Sequence, residues 1–384
     1  MAHPTYEDAR KLVEWLPRHG VVSVYLGFDP ADRGGAWRTE LRNALAQMLE
    51  ATNGADHERR VALKATAERV ARRFANHDRS LPRGEVGFVE VSADGGAEHW
   101  WTPHQAPEAD ICACFAERAV VSPLLYLSEH GCPRGVALLS AERVRLFEWA
   151  PGHLEEVDNL ELSVYSGDWR ERKAQRVSDP ARGQAVSASG RDRFDERLAG
   201  SRERFLVECG RLGARQGDQR HWQQIDIFGV ANLARSFRQG ASSVSALPVE
   251  VAGDVDLISV EDEGQLEERI EEGARRVALE RDRALIEHAL DEARGGTRGA
   301  AGQQETLAAL EEGRVSHLIV DAAHTGAACS RPVMAAEAPP QNGVVQLEPL
   351  AGRALLSSAK ISTVVDGAAE LLADAGGVAA LLRY

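Results

Sequence analysis

The chain has 384 residues, 43 % of them hydrophobic and 27 % charged, a globular composition that excludes a disordered or fibrous polypeptide. It has no run of about 18 apolar residues, which excludes a membrane-spanning helix. The opening MAHPTYEDARKLVEWL lacks the basic-then-apolar pattern of a secretory signal, so a cytoplasmic protein is expected. The net charge of −14 excludes a general nucleic-acid coat, whose footprint is basic, and leaves only local RNA contact through a basic segment.

Residues 21–28, VVSVYLGF, predict a buried strand that ends at the breaker DPADRGG. Trp37, Leu41, Leu45 and Met48 then recur at helical spacing. A second amphipathic helix after ATNGADHE carries Leu63, Ala67, Val70 and Phe74. GEVGFVEVS and AEHWWTP read as strands, and in ICACF the alternation puts Cys112 and Cys114 on one face of an extended segment. Together these predict an α/β domain over residues 1–125.

Three short β-like runs, GVALLS, RVRLFEW and HLEEVDNLEL, predict a meander at the start of a second domain, residues 126–252. The polar stretch 178–190, SDPARGQAVSASG, reads as a loop. A long helix is expected from about Arg191, with Phe194, Leu198, Phe205, Cys209 and Leu212 on one face. QQIDIFGVANL predicts a strand entering a helix, and SSVSALPVEV a further strand. The third domain, residues 253–384, should hold a long helix with Leu266, Ile270, Val277 and Ile286, followed by a shorter one ending at Gly313. RVSHLIVD, KISTVVD and VAALLRY read as its strands, and the stretch 322–343 as a loop. The fold class is thus α/β, three successive domains, with the first and third on either side of the central one.

Charge is uneven along the chain. Between Trp169 and Arg204 lie ten Arg or Lys against six acids, whereas VEDEGQLEERIEEG is strongly acidic. Five cysteines without CxxC spacing predict small buried hydrophobes, and His324 and Cys329 have no spaced partners, so no metal site is expected. Neither a GxxxxGK[ST] nor a GxGxxG run occurs, and no cofactor is expected. Trp100, Trp101, Trp169 and Trp222 are read as packing residues and not as platforms for stacking bases.

These runs resemble a known family. VVSVYLGFDP with its two helices resembles the first domain of the archaeo-eukaryotic peptide-chain release factor and pelota superfamily. GVALLSAERVRLFEWAPGHLEEV resembles the β-meander of the superfamily's central domain. RDRFDERLAGSRERFL resembles the helix after its catalytic loop, headed here by Arg193 and Phe194. GRVSHLIVD and GGVAALLRY resemble the beginning and end of the third domain, which is related to kink-turn-binding ribosomal proteins. The order is kept over nearly the whole chain, and the match is to the bacterial branch.

The resemblance implies a translation factor of the ribosomal A site. Its implied partners are the ribosome, peptidyl-tRNA and a translational GTPase, with no membrane. Two departures stand out. Where codon-reading members carry Asn-Ile-Lys-Ser, this chain has ATNGADHE. Where hydrolytic members place the Gln of Gly-Gly-Gln, five residues ahead of the Phe, it has Ser189. Arg182-Gly183-Gln184, with Gln184 ten residues ahead of Phe194, is the nearest approximation.

Releasing a peptide requires water to attack an ester, so the protein must position that water and stabilise an oxyanion. Gly183 would let the backbone approach RNA closely, and Gln184 would place a neutral amide beside the water. Arg182, Arg191, Arg193, Arg197 and Arg202 would pair with phosphates. The plainer alternatives are a solvated loop for Gly183-Gln184 and, for the arginines, a solvated helix face laced with Asp195, Glu196 and Glu203. The function is read as rescue of stalled ribosomes by codon-independent peptidyl-tRNA hydrolysis. The alternatives are a non-catalytic ribosome-binding factor of rescue or hibernation and, without the resemblance, a stress-related α/β protein.

Overall fold

The computed structural model describes residues 3–28, 35–52, 56–75, 83–107, 111–162, 186–253, 259–260, 262–296, 298–324 and 347–384, with the backbone alone over 186–197. Two compact units are formed, one from Met1–Cys132 with Ala278–Tyr384 and the other from Pro133–Val277. The described residues hold three sheets, one each within residues 21–116, 134–253 and 299–382. The fold is α/β, with one sheet in each third of the chain.

In the first stretch, helix α1 (Tyr6–Glu14) opens on a capping box between Thr5 and Asp8, which satisfies two otherwise orphaned N–H groups. Strand β1 (Val21–Gly27) is followed by helices α2 (Trp37–Ala51) and α3 (His57–Ala75) and strands β2 (Gly84–Glu90), β3 (Glu98–Trp101) and β4 (Cys112–Ala116). The sheet order is β3-β2-β1-β4, antiparallel throughout. Side chains of β1 alternate between faces: Val22, Val24 and Leu26 pack against Trp37, Leu41, Leu45, Met48, Leu63, Val70 and Phe74 of the two helices. Val21 and Tyr25 face a second core together with Cys112 and Cys114, as the alternation in ICACF predicts. Helix α4 (Ser122–His130) closes the stretch.

The second unit begins with β5 (Arg134–Leu139), β6 (Arg143–Ala150) and β7 (His153–Glu161), the expected antiparallel meander. Helix α5 (Val186–Arg220) follows, then β8 (Ile225–Phe228), α6 (Ala231–Ser242) and β9 (Val249–Gly253). Parallel pairing of β5 with β8 and of β8 with β9 gives the order β7-β6-β5-β8-β9. One face packs under α5 and α6 through Leu139, Leu146, Leu206, Cys209, Ile227 and Phe237. The other face, with Val136, Leu138 and Phe147, is covered by Leu266, Ile270 and Ala274 from the first half of α7 (Glu263–Arg294).

Three expectations for this unit are corrected. The long helix starts at Val186 and not at about Arg191. The segment from Ser242 to Pro248 is not strand: helical turns run on through Ser245, and pairing with β8 begins only at Val249. The buried face of α5 consists of Leu206, Cys209, Gly210, Gly213, Ala214 and Gly217, while Phe205 and Leu212 are only half-buried. Small residues hold that face because α6 crosses so closely. A Cβ on Gly210 would collide with the carbonyl oxygen of Phe237, and one on Gly240 with that of Val207.

In the last stretch the second half of α7 precedes β10 (Gly299–Ala301), α8 (Gln303–Glu311), β11 (Val315–Asp321), α9 (Leu347–Leu356) and β12 (Lys360–Val364). A short helix α10 (Asp366–Ala369) continues as a 3-10 turn (Glu370–Ala375) into β13 (Val378–Leu382). The sheet order is β10-β13-β11-β12, with only β11 and β12 parallel. One sheet face takes Ile286 and Ala289 of α7. The other, with Leu318, Val320, Ile361 and Ala380, joins the Tyr25 face of the first stretch in one continuous core. The first and third stretches thus share a hydrophobic core. Among the described residues no helix is long and apolar enough to cross a membrane.

Candidate functional site

The meander, the stretch 163–185 and helix α5 are consecutive, so the candidate site is built from its two roots. Between β5 and β6 the chain turns tightly: Arg143 N–H donates to Ser140 Oγ at 2.9 Å, and Ser140 N–H to the Arg143 carbonyl at 2.8 Å. Glu142, in this turn, holds both roots. Its carbonyl accepts the N–H of Leu162 at 2.8 Å just beyond β7, and its carboxylate pairs with the guanidinium of Arg202 on α5. Arg143 secures the same strand end through Asn159 Oδ1 at 2.9 Å.

Of the residues singled out in the sequence, Arg182, Gly183 and Gln184 lie outside the described residues, as do Trp169 and Cys329. Arg191, Arg193 and Arg197 lie on the described backbone of α5. Arg202 is paired with Glu142, and Arg204 folds back on its own helix, donating to the Gly200 carbonyl at 3.0 Å. A cleft of about 430 Å³ runs beside them, lined by Glu203, Arg204, Val207, Glu208, Arg211 and Gln239. Its charges are mixed, and Arg211 already pairs with Glu208. Burial pushes the thiol of Cys209 up to about 12, so it is a core residue and not a nucleophile.

Sequence reasoning missed Glu142, whose role depends on two contacts distant in sequence. It also missed a buried polar group in the central sheet. Asp226 of β8 is fully buried, accepts from Gln224 Nε2 at 2.6 Å and lies 3.8 Å from the guanidinium of Arg134. The available signal was an acid inside the apolar run IDIF. At the far end of the meander Glu148 and Glu155 stand opposite each other across strands, with His153 nearby, and their ligand atoms lie within 4.8 Å of one another. The guanidinium of Arg220, 3.2 and 3.3 Å from the two carboxylates, already occupies the place a cation would take, and Trp222 Nε1 donates to Glu148 at 2.8 Å.

In the other unit a cleft of about 490 Å³ opens beside the ends of β11 and β12, lined among others by Asp321, His324, Asp366 and Glu370. His324 Nδ1 is 3.7 Å from Asp321. Trp100 and Trp101 pack within the first stretch, where Trp100 lies under the guanidinium of Arg73 at 4.2 Å and edge-on to Phe74, and Trp101 is edge-on to Phe88. Trp222 is buried in the second unit.

Residues 133–246, which contain the meander, the stretch 163–185 and α5 to α6, match the family model of bacterial archaeo-eukaryotic release factor family 5. A curated relative, the Uncharacterized protein YocB of Bacillus subtilis (strain 168), is 24 % identical over 175 residues, which are 44 % of this chain. The chain spans 65 % of the length of that relative. Among solved structures, the archaeal translation termination factor aRF1 is 17 % identical over 99 % of this chain and 98 % of its own, with a TM-score of 0.26. Pelota of Archaeoglobus fulgidus is 13 % identical over 100 % and 94 % of the two chains, with a TM-score of 0.33. Dom34 of S. cerevisiae, a translation termination-like factor, is 10 % identical over 78 % and 80 %, with a TM-score of 0.41. At these scores the overlays carry no argument about activity. The central stretch of this chain, residues 133–246, is thus similar to bacterial archaeo-eukaryotic release factor family 5.

Proposed function

We propose that this release-factor-like translation factor works in the ribosomal A site and releases the peptide from peptidyl-tRNA without reading a codon. On this reading residues 1–125, 126–252 and 253–384 correspond to the three domains of the superfamily. The partners are the ribosome, peptidyl-tRNA and a translational GTPase, and the site of action is the cytoplasm. The observation that carries the reading is the family match over 133–246, the stretch in which the meander, residues 163–185 and the long helix follow one another. Glu142 supports it by tying the strand end before residues 163–185 to the helix after them. Gly183 and Gln184 are the residues assigned to the hydrolytic step: a backbone free of Cβ next to RNA, and an amide that orients water as the oxyanion forms. Arg182, Arg191, Arg193 and Arg197 are assigned to phosphates, while Arg202 is engaged by Glu142.

Peptide release and ribosome binding, measured on purified ribosomes carrying peptidyl-tRNA, test this reading. Gln184→Ala should bind like the parent and release about 10²–10³ times more slowly, as expected on losing one positioned polar contact to a transition state. Gly183→Ala should be slower still. Reversing the charge of Arg191, Arg193 and Arg197 should weaken binding and flatten its salt dependence. Ser189, at the place of the family's glutamine, favours a second reading, a non-catalytic occupant of the A site. A parent that binds ribosomes and releases nothing would establish that second reading and remove Gly183 and Gln184 from the mechanism.

A further inference from the structure

Helix α4 (Ser122–His130) belongs to the first stretch in sequence, yet both of its ends are held by the last. At its N-terminus the preceding Val121 supplies no side-chain cap. The cap comes from Glu348, in the first turn of α9. One of its oxygens accepts the Val121 N–H at 2.7 Å, and the other accepts the N–H and Oγ–H of Ser122 at 3.1 and 2.6 Å. A carboxylate at this position satisfies orphaned donors and meets the positive end of the helix dipole. At the C-terminus Glu129 accepts the N–H and Oγ–H of Thr363 in β12, the latter at 2.9 Å, and lies 3.7 Å from the guanidinium of Arg281. His130 Nε2 donates to the Thr363 carbonyl at 2.7 Å, and Tyr6 of α1 donates to the Ile361 carbonyl at 2.8 Å. Between these ends Leu124, Leu125 and Leu127 lie in the same core as Leu350, Ala354 and Ile361.

We infer that residues 1–132 and 278–384 form a single cooperative body clasped at α4 by Glu129 and Glu348, so that the first and last sheets open together and not as separate domains. The inference goes beyond the proposed function, since it concerns which parts of the chain can move independently. Groups that share buried contacts and polar pairs exchange their amides as one unit, while groups that do not open at their own free energies.

Native-state amide exchange of the full chain, followed by mass spectrometry, tests the clasp. In the parent, peptides covering β1 (Val21–Gly27) and β12 (Lys360–Val364) should share one opening constant, distinct from that of β8 (Ile225–Phe228). Glu348→Ala should raise opening at β1, α4 and β12 together, by about tenfold for a lost helix cap, and leave β8 unchanged. Tyr6→Phe, which removes one hydroxyl, is the milder variant should Glu348→Ala fail to fold, with the same pattern at about threefold. Faster exchange confined to α4 and residues 347–364, with β1 still protected, would overturn the inference. So would different opening constants for β1 and β12 in the parent. Neither outcome bears on peptide release, so the inference and the proposed function can fail separately.

Discussion

Replacing Gly210 by alanine perturbs the closest helix crossing in the central unit. Its Cβ would point at the backbone of α6, into the Phe237 carbonyl and to within 2.9 Å of Ala241 N. Backbone atoms cannot rotate away as a side chain can, so α5 and α6 must separate and loosen the contacts among Leu206, Phe237 and Ala241. Overpacking of this kind costs about 3 kcal/mol at the upper end of its usual range, and the better helix propensity of alanine returns about 1 kcal/mol, leaving a net loss of about 2 kcal/mol. Gly200 is the internal control. It lies on the same helix, and the methyl that alanine would add there meets no neighbouring atom within 4 Å, so Gly200→Ala should stabilise by about 0.5–1 kcal/mol from propensity alone. Denaturant titration read through amide exchange of β8 and α6 measures both. The two substitutions should move the central unit in opposite directions. Equal and stabilising effects would refute the account of a glycine-dependent crossing.

Two half-buried histidines should make stability fall on acidification. Burial, with His104 beside it, holds His3 at about 4, and burial, with Lys360 nearby, holds His317 at about 4. The unfolded chain therefore binds more protons, and stability is lost as pH falls from about 6.5 towards 4, by at most about 3 kcal/mol for each group. Glu348 and Asp282 act in the opposite sense, since burial raises both carboxyls and their protonation on acidification favours the folded state. The melting temperature of His317→Gln should depend less on pH across that window than the parent's, and an unchanged slope would count against the assignment. Arg220→Ala should destabilise the meander by about 1 kcal/mol after allowance for exposure, because Glu148 and Glu155 then face each other unneutralised. Adding Glu155→Gln should restore part of the loss in a double-mutant cycle, and purely additive effects would show that Arg220 does not couple them.

Amphipathic repeats were the most legible part of the fold. Trp37, Leu41, Leu45 and Met48 of α2 and Leu63, Val70 and Phe74 of α3 are buried as their spacing predicts, because each helix covers only one face of a sheet. The three strands of the meander were legible for the same reason, with turns between alternating runs. Helix α4 was not, since SPLLYLSEH is buried on every side and a helix enclosed all round leaves no period to read. Helix α1 was missed because its signal is a capping box and not a hydrophobic repeat. The inner face of α5 was misread because glycines at a close crossing carry no hydrophobic signature, whereas Phe205 and Leu212 do. In the candidate site, the basic character of 169–204 was visible in composition. The pairing of Arg202 with Glu142, 60 residues apart, needed the fold to bring them together.

The cap supplied by Glu348 also affects how the protein is made. It reaches Val121 across 227 positions and Ser122 across 226, so on a ribosome the first stretch is complete long before its clasp exists. At about 5–20 residues per second, synthesis of the intervening chain takes on the order of 10–40 s. During that interval the leucines of α4 and the Tyr25 face of the first sheet lack half of their core, and the helix start lacks its anion. The nascent chain therefore carries a sticky, unfinished surface through most of its own translation, and its yield in the cell should depend on holdase chaperones and on elongation speed more than that of a protein whose domains each close on emergence.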